Sequence, residues 1–274
     1  MVEIRRLRAT DIDAMLRLCA LAGWNQTAQD VARFLALAPD GCFAACVGDL
    51  VVGTTTTTAY GTDLAWVGMV LVDPDFRRRG IATTLMETAL RHLDRLGVRT
   101  VKLDATPAGR LVYERLGFVT EHVFERWSGP APAACAPASE GTWDEIAEAD
   151  RLAFGADRGA LLRGLIADAG PPLLTRNAQG HMTAYAFRRP GTRAGYVGPV
   201  LADDAETAGI VLSAAAARLG GSVFIDIDPA FPRATGLMER LGFARQRELI
   251  RMRRGEQGPT TSFRVFAIAG PAVG

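Results

Sequence analysis

The sequence predicts an α/β protein built from two copies of one mixed unit. Three observations carry this. Residues 2–128 read as strand, two helices, three strands, helix, strand, helix, strand. Within them, Val67–Leu96 runs from an apolar strand through a basic, glycine-containing loop into a long amphipathic helix. The second half then echoes the first. Tyr196–Asp203 (YVGPVLAD) repeats the pattern of Trp66–Asp73 (WVGMVLVD) 130 positions on, and Leu237–Phe243 (LMERLGF) repeats Val112–Phe118 (VYERLGF) 125 positions on. Between them Ser128–Pro137 (SGPAPAACAP) has the composition of a linker. The expected organisation is a domain at 1–128, a linker at 129–138 and a second domain at 139–274.

Each element has a local reason. Val2–Leu7 alternates as a strand does, and Thr10 with Asp13 offers a capping box for a helix over Asp11–Leu21. Gly23–Thr27 breaks the pattern, and a second helix, Ala28–Ala38, ends before Pro39. Strands Cys42–Val47 and Leu50–Ala59 join at Gly48-Asp49, with Thr54–Thr58 a β-branched run. After the strand Ala65–Val72, apolar residues at Ile81, Leu85, Met86, Ala89, Leu90, Leu93 and Leu96 line one helical face, and Gly97 follows as a C-cap. Val98–Ala105 is a strand, 108–116 a short helix and Phe118–Trp127 a strand. In the second half, helices are expected at Trp143–Ala153, Gly159–Ala167, Glu206–Leu219 and Arg233–Leu241. Strands are expected at Leu173–Arg176, His181–Arg188, Gly195–Leu201, Ser222–Ile227 and Ser262–Ala269.

The 274 residues are 49% hydrophobic, enough for a sizeable core. Lys+Arg is 31 against Asp+Glu 30, a net charge of +1, which argues against nucleic acid as a partner. No apolar run approaches the roughly 18 residues of a membrane span, and the first residues lack the apolar core of a signal peptide, so a soluble cytoplasmic protein is expected. Cys19, Cys42, Cys46 and Cys135 form no CxxC pair and read as buried free thiols; Cys42 and Cys46 on one strand would stand about 13 Å apart, too far for a disulfide. His92, His122 and His181 are isolated, so no metal is expected. The composition is compatible with a monomer or a homodimer.

The centre of the reading is the loop. The first turn of a helix leaves backbone N–H groups unpaired, and these make an anion site. Here Gly80 and Ala82 let an anion approach the backbone, and Arg77, Arg78 and Arg79 add positive charge. A diphosphate suits such a cradle; the plainer alternative is a solvated basic edge.

These residues resemble the coenzyme A loop of the GNAT superfamily of N-acetyltransferases. Arg77, Gly80 and Ala82 match its Arg/Gln-x-x-Gly-x-Gly/Ala pattern, and Val72 and Pro74 match the strand end before it. Leu111–Phe118 (LVYERLGF) is similar to the family's Leu-Tyr-x-x-Leu-Gly-Phe mark. The resemblance covers residues 2–128 and implies a mixed, mostly antiparallel twisted sheet flanked by helices. It also implies acetyl-CoA as co-substrate, its diphosphate held by Arg77, Arg78, Arg79, Gly80, Ile81, Ala82 and Thr83. Val70, Leu71 and Val72 would pair with the pantetheine arm, with the N–H of Val70 or Leu71 polarising the thioester carbonyl. Tyr113 falls at the general-acid position. Thr106 and Arg110 are further cofactor contacts, and Trp24 and Asn25 lie in the loop that shapes the acceptor pocket.

A primary alkyl amine with a pKa near 10 must lose a proton before it attacks. The glutamate many members carry on the central strand is missing from Trp66–Met69. Asp63 and Asp104 are the nearest acids, the first reading as a turn residue and the second as a strand-end cap. The second half resembles the divergent second copy of tandem GNAT proteins. Its loop, Ala205–Ile210, has no arginine and carries Glu206, and Met238 replaces Tyr113. It is expected neither to hold the cofactor nor to catalyse. The expected function is transfer of an acetyl group to a small primary amine. The alternatives are a non-catalytic acyl-CoA-binding regulator, or acetylation of a protein lysine or N-terminus.

Overall fold

The computed structural model describes residues 2–133, 137–257 and 264–274. Its elements are β1 (Glu3–Arg6), α1 (Ile12–Leu21), α2 (Ala28–Leu37), β2 (Phe43–Val47), β3 (Leu50–Tyr60), β4 (Leu64–Val72), α3 (Ile81–Arg95), β5 (Thr100–Ala105), α4 (Pro107–Arg115) and β6 (Val119–Pro130). There follow β7 (Ser139–Glu140), α5 (Trp143–Phe154), α6 (Gly159–Ala169), β8 (Leu173–Arg176), β9 (Met182–Arg189), β10 (Gly195–Ala202), α7 (Ala205–Leu219), β11 (Ser222–Ile227), α8 (Ala234–Arg240), β12 (Ala244–Gly255) and β13 (Val265–Ala267). Of the closing strand expected at 262–269, residues 262 and 263 lie outside the described residues, as does Cys135.

By compactness the chain forms two units. The first holds residues 2–121, 251–257 and 271–274, and the second holds 122–133, 137–250 and 264–270. The end of β6 and the end of β12 each belong to the unit built mainly from the other half of the sequence.

In the first unit β1 to β4 pair antiparallel, β4 and β5 pair parallel, and residues 251–255 of β12 lie beside β5. The predicted face of α3, from Ile81 to Leu93, is buried, and Ile81, Leu85 and Ala89 pack with Phe43, Ala45 and Val52. α2 starts in a capping box, with Asp30 N donating to Thr27 Oγ1 and Thr27 N to Asp30 Oδ2. The start of α1 differs from the Thr10/Asp13 expectation. Asp11 instead accepts from Arg8 N at 2.8 Å and from both Arg5 Nη atoms at 2.7 and 2.8 Å.

Sequence reading missed β12. Its five arginines suggest a solvated loop, yet an alternating strand buries one of them. Arg251 is inside the first unit, bidentate to Asp104 at 2.8 and 2.9 Å, with its guanidinium 4.4 Å from the Trp66 ring. The second unit repeats this cluster. Arg126 is bidentate to Asp226 at 2.7 Å, and Tyr196, the counterpart of Trp66, donates its hydroxyl to Asp226 at 3.0 Å. In both clusters a guanidinium neutralises a buried carboxylate, which would otherwise be costly to desolvate.

Candidate active site

The site of the first unit begins with an irregularity in β4. Thr54 faces Leu71 and Thr56 faces Gly68, so Met69 and Val70 together oppose Thr55. This is a β-bulge. Met69 has φ 52°, a conformation few L-residues adopt, and it persists because Thr54 Oγ1 donates to Met69 O at 2.9 Å and Thr55 Oγ1 to Gly68 O at 3.4 Å. The parallel ladder to β5 ends at Trp66 and Lys102. The two strands part from there, and Val70, Leu71 and Val72 lie on the β4 edge beyond the last rung.

The loop follows directly. Asp73 is buried and accepts from Arg17 Nη1 at 2.6 Å and from Asp75 N at 3.1 Å; the Arg17 bond holds its carboxyl below the usual carboxylate range. Arg77 Nε donates to Val72 O at 3.2 Å. Arg79 Nη2 donates to Asp75 O at 2.9 Å, and its guanidinium lies over Phe76. Two of the three arginines therefore order the loop while staying exposed, and Arg78 has no partner among the described residues. Gly80, at φ 76°, turns the chain into α3. No side chain caps this helix, and among the described residues the N–H groups of Ile81, Ala82 and Thr83 have no backbone acceptor. Unpaired amides and the positive end of the helix dipole meet at the helix start, in a loop that carries three exposed arginines.

The opposite side of the parting is α4. Thr106 caps it, its Oγ1 accepting from Gly109 N at 3.2 Å, and Pro107 stands at the first helical position. Tyr113 is half-buried, edge-on to Phe118 at 6.1 Å, and its hydroxyl has no partner among the described residues. Burial pushes its phenol up to about 12. Arg110, exposed, donates to Glu114 at 2.6 Å. Trp24 and Asn25 are half-buried in the connection between α1 and α2, where Trp24 N donates to Cys19 O at 2.9 Å.

Neither acid offered as a base is free. Asp63 is a surface turn residue paired with Arg99. Asp104 is not a strand-end cap: its side chain is 0% exposed and gripped by Arg251. Sequence reading missed Arg251; the signal available was its position 125 residues after Arg126, on a strand matching the end of the first repeat.

The second unit keeps the framework and closes the site. Val197 pairs with Arg188 and Val200 with Ala186, so Gly198 and Pro199 together oppose Phe187 in a bulge one position earlier in the repeat, and the parallel ladder with β11 ends at Val197. Here β13 fills the parting, pairing with both neighbours through Val200↔Ala267 and Ile227↔Ala267. At the start of α7 the Asp204 carboxylate accepts from Thr207 N at 2.8 Å, so a negative charge already sits where an anion would bind. Met238 is fully buried in the core. Among the described residues no group of three or more His, Cys, Asp or Glu could hold a metal, and no helix is long and apolar enough to cross a membrane.

The first unit thus has a bulged strand that parts from its parallel neighbour beside an uncapped helix, and the second has the same framework with the helix capped and the parting filled. Two family models match, one described as Acetyltransferase (GNAT) family over residues 9–118 and one as Acetyltransferase (GNAT) domain over residues 146–267. The chain belongs to the GNAT superfamily, as a tandem N-acetyltransferase. It is similar to an uncharacterized N-acetyltransferase, YitH, of Bacillus subtilis, 23% identical over 99% of this chain and 98% of that one. It is also similar to a holothin acyltransferase of a Pseudoalteromonas species, 25% identical over 92% and 87%. A solved structure from Pyrococcus horikoshii has the same fold, with a TM-score of 0.88 at 24% identity over 100% of this chain and 96% of that one.

Proposed function

We propose that the first unit transfers an acetyl group from acetyl-CoA directly to the primary amine of a small molecule. The observation that carries this reading is the uncapped start of α3 beside the unpaired, bulged edge of β4. Acetyl-CoA supplies the activated thioester. The amides of Gly80–Thr83, with Arg77, Arg78 and Arg79, take its diphosphate, and Thr106 and Arg110 stand by as further polar contacts. Val70–Val72 offer backbone groups to the pantetheine arm. The N–H of Val70 or Leu71 stabilises charge developing on the carbonyl oxygen. Tyr113 gives its proton to the departing sulfur. With Asp63 and Asp104 both engaged by arginines, the amine's proton leaves through water, and the amine reacts from its neutral form. Trp24 and Asn25 line the acceptor side. The Pseudoalteromonas relative, named for acylating holothin, supports an acceptor outside proteins. A panel of primary amines assayed by thiol release tests the reading; binding of acetyl-CoA with release on no amine would overturn it.

Two binding results follow. Gly80→Val places a β-branched residue at φ 76°, at a cost of about 1–2 kcal/mol. It should therefore weaken acetyl-CoA about tenfold in calorimetry, with a Tm loss of only a few degrees. Calorimetry on the wild-type chain should show one acetyl-CoA per chain, because β13 and Asp204 occupy the second copy of the site. A stoichiometry of two would refute that closure.

A further inference from the structure

We propose that residues Pro271–Gly274 form the acceptor-side wall of the first unit's site and set which amines can reach the thioester; this rests on the acetyl-transfer reading above. Alternation along β3 and β4 puts Thr56, Thr58, Tyr60, Trp66 and Gly68 on the sheet face opposite the one that meets α3 at Gly53. The segment runs over this face. Trp66 Nε1 donates to Pro271 O at 3.1 Å, and the Tyr60 hydroxyl donates to Val273 O at 2.7 Å. Between those anchors Ala272 lies on Gly68 so closely that a methyl there would meet Ala272 O at 2.6 Å and Ala272 Cα at 2.7 Å. Ala272 and Val273 are 8% and 5% exposed, so the segment is packed rather than frayed.

Gly68 immediately precedes the Met69 bulge and lies two residues from Val70, whose N–H faces the reacting carbonyl on this reading. At about 3.3 Å per residue, a segment clamped on Gly68 stands within about 7 Å of Val70 along the strand. The side chains of the segment are those of Pro271, Ala272 and Val273, all apolar, with Pro271 the most exposed. On this proposal the segment keeps water from the thioester and discriminates against a primary amine with a methyl beside the nitrogen. Steric discrimination of one carbon is worth about 10- to 200-fold in an enzyme pocket.

The test uses two variants with different routes to the same loss: a chain shortened by residues 271–274, and Tyr60→Phe combined with Trp66→Phe, which removes both anchoring donors. Three readouts are taken: acetyl-CoA affinity by calorimetry, thiol release without amine, and kcat/KM for n-butylamine against sec-butylamine. Both variants should bind acetyl-CoA within about threefold of wild type. They should release thiol without amine several-fold faster, and their preference for the unbranched amine should fall from at least about tenfold towards unity. Folded variants with wild-type amine preference and wild-type thiol release would overturn the proposal. If the wild-type protein acetylates neither amine, the acceptor reading fails, while amine-free thiol release still decides whether 271–274 shields the thioester.

Discussion

Tyr113→Phe is expected to lower kcat about 10²- to 10³-fold, the range of a positioned general acid. Acetyl-CoA affinity should stay within about twofold, because the ring and its packing on Phe118 are kept. The hydroxyl has no partner among the described residues, so its removal leaves no donor or acceptor stranded, and the loss reports on chemistry. The pH profile adds a second check. Burial raises the phenol to about 12, so Tyr113 keeps its proton throughout the working range and imposes no alkaline limb near pH 9. The rate should instead climb with the neutral fraction of the amine, towards its own pKa near 10. The variant should lose height and keep this shape. The same shift contributes stability fully present below pH about 10 and lost as pH rises towards 12. A Tyr113→Phe enzyme with unchanged kcat would take the residue out of the mechanism.

Arg251→Met should destabilise the protein by about 3–5 kcal/mol, the cost of stranding one partner of a buried ion pair. The Arg251 and Asp104 side chains are 4% and 0% exposed, so water cannot take over the lost bonds. Chemical denaturation reads this loss directly. Asp104→Leu combined with Arg251→Met should recover most of the stability, because the pair is removed together. A functional loss should accompany the single change. Asp104 stands two residues before Thr106, whose hydroxyl starts the helix that carries Tyr113, so kcat should fall more than acetyl-CoA affinity. A loss under about 1 kcal/mol would mean that the pair is dispensable.

The two halves of this picture were unequally visible in the sequence. The loop from Arg77 to Thr83 was plain because its chemistry is local: the glycine, the arginines and the first helical turn are neighbours in the chain. The echo of Trp66–Asp73 in Tyr196–Asp203 likewise gave the duplication directly. What was hidden depends on distant pairing. Asp104 meets Arg251 across 147 positions, and no local pattern announces it. β12 was hidden because arginines at alternate positions look solvated until a partner carboxylate is known. β13 lies within the strand expected over Ser262–Ala269, but its place between β10 and β11 is a matter of register that the sequence pattern does not carry.

The crossing of the repeats has a genetic consequence. Arg251, encoded in the second repeat, neutralises Asp104 of the first, and Arg126, encoded in the first, neutralises Asp226 of the second. A gene cut at the linker would part each buried acid from the arginine that neutralises it. Excising either copy, or exchanging it for a relative's, would have to restore the guanidinium that the other copy supplies, which ties the two repeats together by descent.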